Sequence, residues 1–238
     1  MKTYYLILVA AMLLSAQSNL PAQTLTVEER LVKNEESVEL SSWTAKLDQN
    51  PDYCMKTYSD FIKEVFKTKV DNRGKTMLVA EKTLMPEISN LRLDQRTIFT
   101  SESAGTAVSF TFSPGYDIHF SKEKYGSEFT KAEVFVKNFV RYHYQKYYNE
   151  QIESLKDKIS SRQNDIETNG KRMDKNNKAI LSNKSEGETD KTKSKNEKML
   201  RENDTYTAET TTKRRELLDL ENQLAKANEQ LRKALDYK

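Results

Sequence analysis

Cysteine is almost missing from this chain. Cys54 stands alone, so no disulfide can close within it. Histidine is nearly as scarce, with only His119 and His143, and no HExxH, CxxC or calcium-loop pattern occurs. No catalytic group, cofactor site or metal site is therefore expected. Long apolar runs are also lacking. The best is Tyr4 to Leu14, 11 residues, against the roughly 20 that a membrane-spanning helix needs. Neither sign of charge dominates: residues 1–150 carry 19 basic and 19 acidic side chains, and residues 151–238 carry 20 and 17. With no concentrated basic face, nucleic acid is not an expected partner.

The distribution of scarce residues divides the chain. Of 22 Phe, Tyr and Trp residues, only Tyr206 and Tyr237 lie beyond residue 150, and all four prolines lie at or before Pro114. The hydrophobic core must come from roughly residues 25–148, long enough for one domain. Three segments follow: a signal peptide over 1–22, an α+β domain over 23–148, and a long helical hairpin or coiled coil over 149–238.

The N-terminus has the order of a secretory signal: Lys2, then the apolar run, then small and polar residues from Ser15 to Ala22 with Pro21 among them. Cleavage is expected after Ser18 or after Ala22. Removing residues 1–22 takes away Lys2 and no acid, so the net charge falls from +3 to +2. Export to the periplasm or the extracellular space, as a soluble protein with no remaining membrane span, is the expectation. There Cys54 reads as a buried small hydrophobe in a helix; an intermolecular disulfide or a redox thiol are its functional alternatives.

Residues 24–48 read as helix-prone, with Glu28 and Glu29 after a cap-like Thr26, and with Trp43 as an anchor onto the core. A second helix, 52–70, begins after Asn50-Pro51 and spaces Tyr53, Cys54, Tyr58, Phe61, Ile62, Val65 and Phe66 on one face; Gly74 follows as its stop. Residues 76–80, 96–100, 106–112 and the alternating Tyr116, Ile118 and Phe120 then suggest a small antiparallel sheet of three or four strands. Helix 52–70 is expected to cover it. Any ligand pocket would lie between that helix and the sheet.

Beyond residue 150, Ile152, Ile159, Ile166, Met173 and Ile180 stand seven apart, the signature of a left-handed supercoil. Leu155 continues the companion row, but Arg162, Asn169 and Asn176 break its apolar character. Met199, Tyr206, Leu217, Leu220, Leu224 and Leu231 form a returning seam. Residues 182–198 hold no large apolar side chain and read as a tip. Folding back near residue 186 pairs positions whose numbers sum to about 372: Met173 with Met199, Ile166 with Tyr206, Leu155 with Leu217, Ile152 with Leu220. The alternative is an intermolecular coiled coil. A dense cluster, Tyr142, Tyr144, Tyr147 and Tyr148, offers either core packing or a docking surface.

These features point to an exported, non-catalytic interaction or scaffold protein that binds a protein partner, or itself, through the helical segment. In layout the chain is similar to the Skp/OmpH family of outer-membrane-protein chaperones, with a signal peptide, a small β-containing body and long basic-leaning arms. That resemblance implies a periplasmic holdase. An enzymatic or small-ligand-binding α+β domain is the remaining alternative.

Overall fold

The computed structural model describes residues 25–33, 37–115, 118–187 and 189–237. The signal segment and Tyr116 lie outside them. The head is α+β, and its sheet is larger than the expected three or four strands. Six antiparallel strands run β1 (Val27–Lys33), β2 (Glu39–Leu47), β3 (Asp71–Asn72), β4 (Met77–Leu84), β5 (Arg92–Glu102) and β6 (Gly105–Ser113), in the spatial order β1-β2-β6-β5-β4-β3. Three strands are additional. β3 is a two-residue strand beyond the first helix, and β1 and β2 come from residues 24–48, which are not helical. Glu, Lys and Leu there favour a helix locally, but β2 pairs with the most buried strand, Trp43 opposite Phe110 and Ala45 opposite Val108. Burial against that neighbour outweighs a weak local preference. β1 then pairs with β2 and leaves its charges on the sheet edge, where they discourage pairing with other chains.

The expected strands 96–100 and 106–112 lie within β5 and β6, and 76–80 falls in β4 except for Thr76, which precedes it. The expected fourth strand reduces to one bridge, Gly115 with Ile118, after which the Phe120 amide donates to the Phe112 carbonyl at 2.9 Å. The β5–β6 turn depends on Gly105. Its φ is +134°, and an added Cβ would sit 2.0 Å from the Leu47 carbonyl oxygen, so no side chain fits.

Helix α1 (Pro51–Phe66) starts where Asn50 Oδ1 accepts the Tyr53 amide at 2.9 Å and Pro51 takes the first turn. It stops at Lys67 in the left-handed conformation, earlier than the expected residue 70, and Gly74 belongs instead to the turn between β3 and β4. Helix α2 (Gly126–Ser185) shares the covering of the sheet with α1. The space between helix and sheet is filled with rings: Tyr58 meets Phe110 at 5.6 Å and Phe139 at 5.3 Å, and Phe135 meets Phe112 at 5.5 Å. Trp43 is the anchor expected of it. It stacks on Phe129 at 5.0 Å, and its indole donates to the Phe129 carbonyl at 2.7 Å.

Helix α2 then leaves the head without a break. A turn through Glu186 and Gly187, with φ +97° at the glycine, sends the chain back as α3 (Asp190–Leu235). The polar stretch 182–198 is mostly helical, because Thr189 and Thr192 form a reciprocal capping box at the start of α3. From Tyr148 to Ser185 the arm reaches about 55 Å at ~1.5 Å per residue. α3 returns to the head, where Ala234 is buried and Arg141 donates to the Tyr237 carbonyl at 2.7 Å. Among the described residues no helix is long and apolar enough to cross a membrane.

Candidate functional site: the helical arms and their junction with the head

The arms form an antiparallel hairpin, in a register one heptad away from the expected one. Cross-arm bonds join Arg162 to Glu216 at 2.7 Å, Asp165 to Lys213 at 2.8 Å, Asn169 to Glu209 at 3.1 Å, Asn176 to Asn203 at 3.0 Å and Asn183 to Asn196 at 2.7 Å. These numbers sum to 378 or 379, not 372. A slip of seven keeps every residue on the seam and changes every partner. Ile180 lies opposite Met199, Met173 opposite Tyr206, Ile159 opposite Leu220, Leu155 opposite Leu224 and Ile152 opposite Ala227. Near the head, Ile152, Leu155 and Ala227 pack with Leu220, Leu224 and Leu231. Both registers stack asparagine on asparagine, so that ladder does not choose between them. In either register Lys213 lies opposite an isoleucine, Ile159 or Ile166, and only the observed one brings it to Asp165, at 2.8 Å. Leu217 falls opposite Arg162, and Ile166 opposite Lys213.

The seam changes character along its length. Its base is aliphatic, and its outer half alternates Met173, Tyr206, Ile180 and Met199 with layers of Asn169, Asn176, Asn183, Asn196 and Asn203. Asn169 and Asn196 are buried, as is Asn203, which accepts from Asn176 and donates to Asn177 at 2.8 Å. Asn196 Nδ2 and Thr210 Oγ1 are enclosed without a hydrogen-bond partner in the structure. Such layers weaken a coiled coil. Arg172 lies over the Tyr206 ring at 5.6 Å.

The tyrosine cluster sits where the arms join the head. Tyr144 is buried, and its hydroxyl donates to Asp48 at 2.7 Å. Tyr142 and Tyr148 are half-buried against the core, and Tyr147 meets Tyr53 edge-on at 5.8 Å. Beneath them lies a polar cluster that no local pattern announces. His143 is fully buried: Nδ1 is 2.7 Å from the Thr57 hydroxyl and Nε2 is 2.6 Å from Gln49 Oε1. With Gln49 Oε1 accepting, Nε2 carries the proton, and the one Thr57 proton serves both Nδ1 and the Cys54 carbonyl at 3.1 Å. Burial holds the imidazole neutral and drives its pKa down to about 3. The Gln49 carbonyl accepts from Thr106 at 2.7 Å and from the Cys54 thiol at 3.6 Å.

Cys54 is a buried, unpaired thiol in α1, and burial pushes its pKa up to about 12. It is neither nucleophile nor exposed redox group in this conformation. His119 lines a surface groove of about 380 Å³ with Ile118, Lys124 and Tyr125. No group of three or more His, Cys, Asp or Glu side chains suited to a metal occurs among the described residues. Comparison with protein-family models, curated proteins and solved structures finds no match.

Proposed function

We propose that this chain is an exported, non-catalytic interaction or scaffold protein, free in the periplasm or extracellular space, whose α+β head carries a helical stalk. The observation that carries the reading is the stalk itself. One chain closes two arms on each other for about 55 Å, ties the end of α3 back to Arg141, and grades the seam from aliphatic to polar. A non-catalytic role is supported by the two reactive residue types in the head core. Cys54 and His143 are each enclosed and hydrogen-bonded there. The signal-like N-terminus supports export.

The hairpin arms on a β-containing body also favour a second reading, the holdase that the Skp/OmpH-like layout implies. A photo-crosslinking residue placed in turn at Ser194 and Ala208 on the arms, and at Leu84 and Leu91 on the head, separates them in the native compartment. Arm positions that capture one discrete protein, or a second copy, support the interaction reading. Capture of many unfolded outer-membrane proteins selects the holdase. Capture through the head alone, or a protein found only in the cytoplasm, overturns both.

A further inference from the structure

The two flanks of the stalk are built differently. On one, the bonds Arg162–Glu216, Asp165–Lys213 and Asn169–Glu209 lace the arms together with charge. The seam spacing puts Leu181, Leu200 and Leu218 on the opposite flank, where they are 67%, 51% and 61% exposed. Leu181 and Leu200 lie at nearly the same level near the tip. Leu218 lies about 27 Å below Leu200, at ~1.5 Å per residue. The midpoint between Leu200 and Leu218 is residue 209, and the register sets that level beside Gly170. Gly170 is exposed on this flank, and a Cβ there would meet nothing within 4 Å.

We infer that this flank is a self-association surface, and that a second copy of the chain lies on it antiparallel, with the two-fold axis at the level of Gly170. That arrangement sets α3 against α3. Leu200 of each copy then faces Leu218 of the other, twice over. It also sets Arg214 over Asp204 of the second copy, in two symmetric pairs; both residues are exposed and neither has an ion pair among the described residues of its own chain. At each end Lys184 faces Lys156 and Glu197 faces Glu221, a four-charge cluster of no net charge. Gln163 meets Asn177. Gly170 lets the arms approach at the centre, and the heads project from opposite ends without collision. A parallel pairing would set the heads side by side and lose the Arg214–Asp204 match. The inference rests on the interaction reading above and names its partner.

Sedimentation equilibrium of the full exported protein tests it. A reversible dimer is expected. Leu200→Glu should weaken it roughly a hundredfold, and Arg214→Asp about tenfold, since it replaces two attractions by two repulsions. Arg214→Asp combined with Asp204→Arg should recover most of the loss. Circular dichroism checks that these exposed substitutions leave the helices intact. Spin labels at Ala208 and, separately, at Ser194 read the polarity: in the antiparallel dimer the Ser194 pair lies about 40 Å farther apart along the axis than the Ala208 pair. Equal separations, failure of the charge swap to rescue, or a monomer at every concentration would overturn the inference. A monomer whose arms still capture another protein would leave the interaction reading standing.

Discussion

His143 shows how a single residue ties stability to pH. Its imidazole is enclosed and neutral, accepting from Thr57 and donating to Gln49, with a pKa near 3 in the folded protein. The same group in an unfolded chain titrates near ~6.5. The folded value is the lower one, so the unfolded state binds the proton first, and stability falls as pH drops from about 6.5 toward 3. The slope can reach about 1.4 kcal/mol per pH unit. Urea unfolding at a series of pH values should show this fall between pH 6.5 and 5, above most carboxylate titration. In His143→Gln the fall in that interval should be largely absent, at the cost of lower stability at neutral pH. An unchanged slope would mean that the imidazole is not sealed. Sequence could place His143 in an aromatic helix but not beside Gln49 and Thr57. Those partners lie 94 and 86 positions away, and nothing local encodes such a meeting.

At the scale of elements, the turn at Gly105 is the most demanding point of the sheet. A methyl group there would enter the Leu47 carbonyl and the Asp48 Cα at a φ that L residues rarely adopt. Gly105→Ala should therefore cost about 2–4 kcal/mol, combining backbone strain with overpacking. It should lower the thermal midpoint, whereas Gly74→Ala, with open space around it, should cost less. What was legible at this scale had strong local signals. Helix α1 is announced by Asn50-Pro51 and a regular apolar face, β6 by Val108, Phe110 and Phe112, and the arms by isoleucines seven apart. Residues 24–48 misled because Glu28 and Glu29 after Thr26 imitate a helix cap, while they actually decorate an edge strand. The seam residues were legible and their partners were not. A heptad repeat is blind to a shift of seven, and the deciding contacts, Asp165 with Lys213 and Arg162 with Glu216, are charge pairs.

The whole molecule is a head whose core gathers buried side chains from Ala45 to Tyr144 together with Ala234, and a stalk whose core is one seam wide. The two are mechanically joined. α2 passes from one to the other without a break, and α3 ends with Ala234 in the head core and the Tyr237 carbonyl held by Arg141. A stalk anchored through both arms can hold a docking surface at a fixed distance from the head, as the proposed interaction role requires. That account depends on each chain building its own stalk. Intramolecular cross-linking tests this most directly. Cysteines at Met173 and Tyr206 of one chain, treated with a short bis-maleimide at high dilution, should link within the chain and run at monomer mass, with Cys54 protected by burial. A mixture of Met173→Cys chains with Tyr206→Cys chains should not link. Cross-links that form only between chains, or that favour cysteines at Met173 and Met199, would contradict the account.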